Sequence, residues 1–166
     1  MAGAIQLASE NKFQFQAWAL GLVGARVANS DKRGADRGID GRKVFFDDDS
    51  GKAKEIIFSV KGGQSVQDSE LRDLAGTVSA ENADIGVFIS LAEPTRPMQK
   101  RAAEAGFYTS SDGSKYPRLQ LLTIKGLLEA TQHLQRPLHV RDATFKKAPR
   151  SRPDAATNLT LNLSTE

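Results

Sequence analysis

The 166-residue sequence predicts an α/β fold with a mixed central β-sheet flanked by helices. Two observations predict it. From residue 55 to 124 apolar strand patterns alternate with helical ones in the order β, α, β, α, β, the arrangement of a parallel sheet covered by helices. Just before that run ends its first strand, KVFF (43–46) and EIIFSV (55–60) flank the turn DDDSGK (47–52), which reads as an antiparallel hairpin. Parallel and antiparallel pairs in one sheet make it mixed, and the length suits one such domain plus tails.

Each element has its own signal. Between residues 9 and 23, Phe15, Trp18, Ala19 and Leu22 recur at the spacing of one helical face, with Ser9 as N-cap and Gly24 as stop. The stretch SDKRGADRGIDGRK (30–43) carries three glycines and no apolar period, so it is a loop leading into KVFF. In EIIFSVKGG, alternation puts Ile56, Phe58 and Val60 on one face and Ile57, Ser59 and Lys61 on the other. The first face is core; the second turns polar toward the end of the strand. Leu71, Leu74 and Val78 mark a helix over about 66–82, with Asp68 or Ser69 as cap. DIGVFISL (84–91) is a continuous apolar run, as a buried parallel strand requires. EPTRPMQKRAAEAGF is a helix entered through prolines and closed by Gly106, LQLLTI (119–124) is a further strand, and IKGLLEATQHL (124–134) is a last helix.

Beyond Leu134, Arg136, Arg141, Lys146, Lys147, Arg150 and Arg152 occur with three prolines and little apolar content. The expected division is therefore a folded domain over 1–134 and a basic, flexible tail over 135–166, in which NLTLNLST is at most a marginal edge strand.

Composition narrows the function. The absence of cysteine excludes disulfides, thiolate nucleophiles and Cys-ligated zinc. No apolar run approaches the ~18 residues of a membrane span, and MAGAIQLASENK lacks a basic and then apolar leader, so a cytoplasmic protein is expected. A net charge of +3 and a pI of about 9.3 lean toward a polyanionic partner. HExxH, GxSxG and GxxxxGK[ST] do not occur, and His133 and His139 lack ligand spacing.

The chemistry concentrates where the loop meets the hairpin. A hairpin of this kind brings Asp40, at the mouth of its first strand, beside Ser59 and Lys61 on one face of the second. A carboxylate is a hard oxygen ligand for Mg²⁺, which keeps several waters and takes phosphate oxygens into its shell. A lysine held on a rigid strand beside it neutralises charge growing on a phosphate. Asp40 between glycines has a competing role as a turn aspartate, and Lys61 as a strand-end lysine reaching solvent.

GADRGIDG, the hairpin, FSVKGG, a helix and then IGVFISL together resemble the Mrr-type branch of the PD-(D/E)XK restriction-endonuclease superfamily, and in particular the modules found beside or fused to DNA methyltransferases. The resemblance covers about residues 10–130 and implies a restriction-endonuclease-like core in the order α-β-β-β-α-β. It implies Asp40 as the first acidic metal ligand, the signature tripeptide on Ser59-Val60-Lys61, and the Val60 backbone carbonyl as a further ligand for Mg²⁺ or Mn²⁺. Ser59 stands where the superfamily usually carries Asp or Glu and the Mrr branch often glutamine. Glu10 is a candidate replacement carboxylate from the first helix, with Gln14 and Gln16 as rivals. Arg37, Arg42 and Gln64 are candidate DNA contacts. The implied function is metal-dependent endonucleolytic cleavage of DNA, with specificity from a methyltransferase or recognition module, and a two-fold dimer as the simplest way to cut both strands. The alternatives are a catalytically inactive DNA-binding or assembly domain with the same fold, and a nuclease for RNA or damaged DNA.

Overall fold

The computed structural model describes residues 1–28 and 38–138. Helices α1 (Ala2–Glu10) and α2 (Lys12–Leu22) lead into strands β1 (Arg26–Val27), β2 (Gly41–Phe45) and β3 (Lys54–Lys61). Helix α3 (Asp68–Ala80), strand β4 (Ile85–Ser90) and helix α4 (Arg96–Glu104) follow. Strands β5 (Phe107–Thr109), β6 (Lys115–Pro117) and β7 (Leu119–Thr123) and helix α5 (Ile124–Leu128) complete the described chain.

The main sheet has the order β1-β2-β3-β4-β7. Its first two pairings are antiparallel and its last two parallel, so the sheet is mixed as expected. The expected α-β-β-β-α-β order runs from the first helices through β1, β2, β3 and α3 to β4. Strand alternation divides the core into two layers. Ile56, Phe58 and Val60 pack with Phe15, Ala19 and Leu20 of α2, while Ile57 and Phe88 pack with Leu71, Leu74 and Val78 of α3 and Met98 of α4. Strand β4 is buried along its whole length, which explains its lack of alternation.

Gly86 lets α3 approach β4. A Cβ there would lie 2.5 Å from Val78 Cγ2 and 2.9 Å from Leu119 Cδ2, between a helix and a neighbouring strand. Overpacking of this kind costs about 1–3 kcal/mol. Gly86→Ala is therefore expected to lower stability by that amount in chemical denaturation, and an unchanged midpoint would contradict the packing described.

Several boundaries differ from the sequence expectation. The first helix is two, broken at Asn11, whose extended backbone ends α1 and whose side chain accepts from the Gln14 N–H to cap α2. Ser9 is not that cap; its hydroxyl donates to the Gln6 carbonyl within α1. The β5–β6 hairpin was not anticipated. It turns through Asp112, which accepts from the Ser114 N–H, and Gly113 at φ +84°. Its Tyr108 hydroxyl donates to the buried Asp47 carboxylate, fastening it to the β2–β3 turn.

The last helix is shorter than expected. Ala130 takes a positive φ of 55°, and Gln132 folds back to accept from the Thr123 N–H at 2.7 Å. The chain then runs along β7, where Gln120 Nε2 donates to the Gln135 carbonyl at 2.6 Å and the Gln135 N–H donates to Gln120 Oε1 at 2.9 Å. The order thus continues past Leu134. Arg37, His139 and the expected tail from residue 139 onward, NLTLNLST included, lie outside the described residues. Among those described, no helix is long and apolar enough to cross a membrane.

Candidate active site

The glycines around Asp40 each have a mechanical reason. Gly38 takes φ +73°, a left-handed conformation that glycine adopts without strain. Gly41 passes so close to α2 and β1 that a Cβ would lie 2.5 Å from Leu20 Cδ2 and 2.9 Å from the Arg26 carbonyl. Between them Ile39 is buried. Asp40 is fixed through its backbone on both sides: its N–H donates to the Phe58 carbonyl at 2.8 Å, and its own carbonyl accepts from Ala28 at 3.0 Å. The Asp40 loop is thus a continuation of the sheet.

Register then selects its neighbours. The paired register ends at Gly41 opposite Phe58; Asp40 lies just beyond it, bonded to Phe58 and close enough to the Ser59 hydroxyl and the Lys61 charge for both to act on its carboxylate. The Asp40 carboxylate closes over the end of the ladder, where Oδ2 accepts from the Val60 N–H at 2.6 Å. The Lys61 carbonyl accepts from Leu91 on the β4 side. Alternation of backbone groups along β3 therefore turns the Val60 N–H and carbonyl to the opposite side, the side Asp40 occupies.

Gln16 of α2 donates from Nε2 to Asp40 Oδ1 at 2.9 Å. Glu10 sits elsewhere: it is exposed at the end of α1 and accepts from Gln6. Of the three side chains weighed from the first helical region, Gln16 is the one that reaches Asp40. The break at Asn11 explains this, because it starts a new helix whose phase points Gln16 inward. Gln14 is exposed.

Burial raises the Asp40 pKa above the ordinary carboxylate value, opposed by the Val60 N–H, then by the positive charges of Lys61 and Lys12, and last by the Ser59 hydroxyl. Ser59 is 4% exposed. Lys61 Nζ lies 3.8 Å from Glu70 Oε1, and the other oxygen of Glu70 accepts from the Gln67 N–H at 3.0 Å at the start of α3. Glu70 thus holds the ammonium group of Lys61 against the helix that follows it. Asp40 thus stands beside Lys12 and the Glu70-paired Lys61, with the neutral oxygens of Ser59 and Gln16 in support. Among the described residues no three His, Cys, Asp or Glu side chains converge as a metal cluster.

The family is set by the length of chain that matches. A restriction-endonuclease family model, that of the Mrr catalytic domain, matches residues 10–130. The chain belongs to this restriction-endonuclease family. Curated protein sequences gave no match. Among solved structures the chain is similar to "DNA modification-dependent restriction endonuclease AspBHI", with a TM-score of 0.56 and 21% identity, over 77% of this chain and 33% of that one. The likeness shows the fold, and this chain spans about a third of that enzyme's length.

On this Mrr-type core the remaining sequence candidates take varied places. Arg42 is held between Glu55 and Glu81 by ion pairs of 2.9 and 3.0 Å, on the α3 face of the sheet. Its charge is committed to tying β2, β3 and α3 together. Gln64 is exposed after the double glycine. Gly62 serves packing, since a Cβ would lie 3.0 Å from Ala8 and 3.1 Å from Phe15. Lys12 and Glu70 were not singled out by the sequence; each is an ordinary surface charge until the fold brings it to Asp40 or Lys61.

Proposed function

We propose that this domain is a metal-dependent DNA endonuclease in which Asp40 and the Val60 carbonyl hold Mg²⁺, or Mn²⁺ in its place. The carrying observation is the Asp40 carboxylate fixed at the end of the β2–β3 ladder, with the Val60 backbone turned toward it and the Lys61 charge close enough to act on it. The donor set fits the ion. Mg²⁺ prefers hard oxygens, keeps several waters, and is held by one or two carboxylates together with substrate phosphates. Ser59 and Gln16 add two neutral oxygens.

When bound, the ion supplies positive charge beside the phosphodiester and lowers the pKa of water. Gln16 and the Val60 N–H orient the Asp40 carboxylate. Lys61 neutralises charge that develops on the phosphate oxygens and positions the attacking water. With the Asp40 carboxylate facing the ammonium groups of Lys12 and Lys61, and Glu70 already engaged by Lys61, the apo site attracts a cation weakly, so DNA phosphate completes it. Metal and DNA then bind together. The measurement is DNA affinity with and without Mg²⁺: we expect Mg²⁺ to tighten binding, and Asp40→Ala to remove that gain. DNA binding indifferent to Mg²⁺ would refute the assignment.

The raised pKa of Asp40 sets the acid limb. Metal requires the ionised carboxylate, so acidification should weaken the Mg²⁺ effect at a pH above that of an ordinary aspartate. A Mg²⁺ effect that persists down to the normal aspartate range would contradict it.

A second reading, an endonuclease fold that binds DNA without cutting it, draws on the neutral Ser59 beside Asp40 in place of a second acid. Ser59→Asp separates the two. A weakened site gains metal affinity from the added carboxylate, whereas a dismantled one gains none. Target sequence and any methyltransferase partner belong to surfaces outside this core.

A further inference from the structure

Phe13 is 81% exposed, the most exposed of the large apolar side chains described. It lies on the first turn of α2, three residues before Gln16, and positions i and i+3 of a helix are lateral neighbours. Gln16 bonds Asp40 directly, and Lys12, the residue before Phe13, is close enough to act on the Asp40 charge. The exposed ring is therefore continuous with the rim of the proposed phosphodiester site, with a cation at its side.

We infer that Phe13 is a stacking platform for a nucleobase next to the phosphate bound at Asp40, with Lys12 on the adjoining phosphate. The inference rests on the nuclease reading. Three features favour a base over an apolar protein surface. The preceding residue is a lysine, Gln14 and Asn11 close by are polar and exposed, and the polar site lies one helical turn away. An aromatic face flanked by cations is the combination that binds single-stranded nucleic acid, because every base offers a π-face and every phosphate a charge. A base inside an intact duplex has no free face. The platform is thus suited to a base that is unpaired, frayed or turned out of the helix.

The test compares wild type, Phe13→Ala and Phe13→Trp for binding of fluorescein-labelled single-stranded and duplex oligonucleotides, in chelator so that nothing is cut. Stacking of one base predicts a loss of about tenfold for single-stranded DNA in Phe13→Ala. Duplex affinity should change less than twofold, and Phe13→Trp should restore single-strand binding. Equal single-strand affinity of wild type and Phe13→Ala would overturn the inference, as would a wild-type dimer that Phe13→Ala converts to monomer with DNA affinity unchanged. A wild type that binds neither DNA, in chelator or with Mg²⁺ added, overturns the nuclease reading as well, and duplex binding that added Mg²⁺ tightens, with no Phe13 effect on single strands, overturns the platform alone.

Discussion

Asp40→Asn is expected to reduce metal-dependent DNA nicking by about a thousandfold or more while leaving the fold at least as stable as wild type. The two effects have one cause. The carboxylate is partly buried, and its raised pKa means that the folded protein holds the protonated form more firmly than the unfolded chain does. The stability Asp40 contributes is full at pH values below its unfolded pKa, and it is lost as pH rises through the higher folded value. At neutral pH the ionised side chain therefore costs stability. Asparagine removes that charge, still accepts from the Val60 N–H, and pairs with Gln16 if the Gln16 amide turns over. Its melting temperature should exceed wild type at neutral pH, by up to about 1 kcal/mol of stability. The difference should close as pH falls below the Asp40 pKa. A neutral-pH loss of several kcal/mol would instead mark Asp40 as a structural turn residue.

Lys61→Met is expected to cut nicking by about two to three orders of magnitude while preserving the metal response of DNA binding. Methionine keeps most of the apolar stem, so packing at the end of β3 survives. The ammonium group is lost, and with it a positive charge that opposes cation binding at Asp40. Mg²⁺ affinity should therefore hold or rise as the rate falls. Without Lys61 the pKa of Asp40 should rise further, moving the acid limb of any residual activity to higher pH. Removing one phosphate-neutralising charge should also lower the slope of log affinity against log salt by about one. A variant that loses metal response and rate together would show that Lys61 acts by holding Asp40 in place.

Much of this site was legible in the sequence because strand alternation is a strict rule. Ser59 and Lys61 share a face in any register, and glycines at 38 and 41 mark a backbone that must turn and then pass close to its neighbours. Buried β4 and amphipathic α3 were readable for similar reasons: one is apolar throughout, the other periodic with acidic residues in its first turn. The first helical region was less so. A single apolar stripe hid the break at Asn11, and that break decides which polar side chain meets Asp40, putting Gln16 there and leaving Glu10 on the surface. Arg42 illustrates another limit. A basic residue near the Asp40 loop reads as a phosphate contact until Glu55 and Glu81, 13 and 39 positions away, are seen to enclose it. The β5–β6 hairpin left little trace because three-residue strands carry almost no periodicity, and its anchor is a tertiary bond from Tyr108 to Asp47.

Hydrolysis at the Asp40 and Val60 end of β3 is checked by nicking of supercoiled plasmid, methylated and unmethylated, by the wild-type protein in Mg²⁺, in Mn²⁺ and in chelator. Open-circular product is expected with either metal and none in chelator, and Asp40→Asn should abolish it. Nicking that continues in chelator or in Asp40→Asn, or plasmid left intact by a wild type whose DNA affinity ignores Mg²⁺, would contradict hydrolysis at that site.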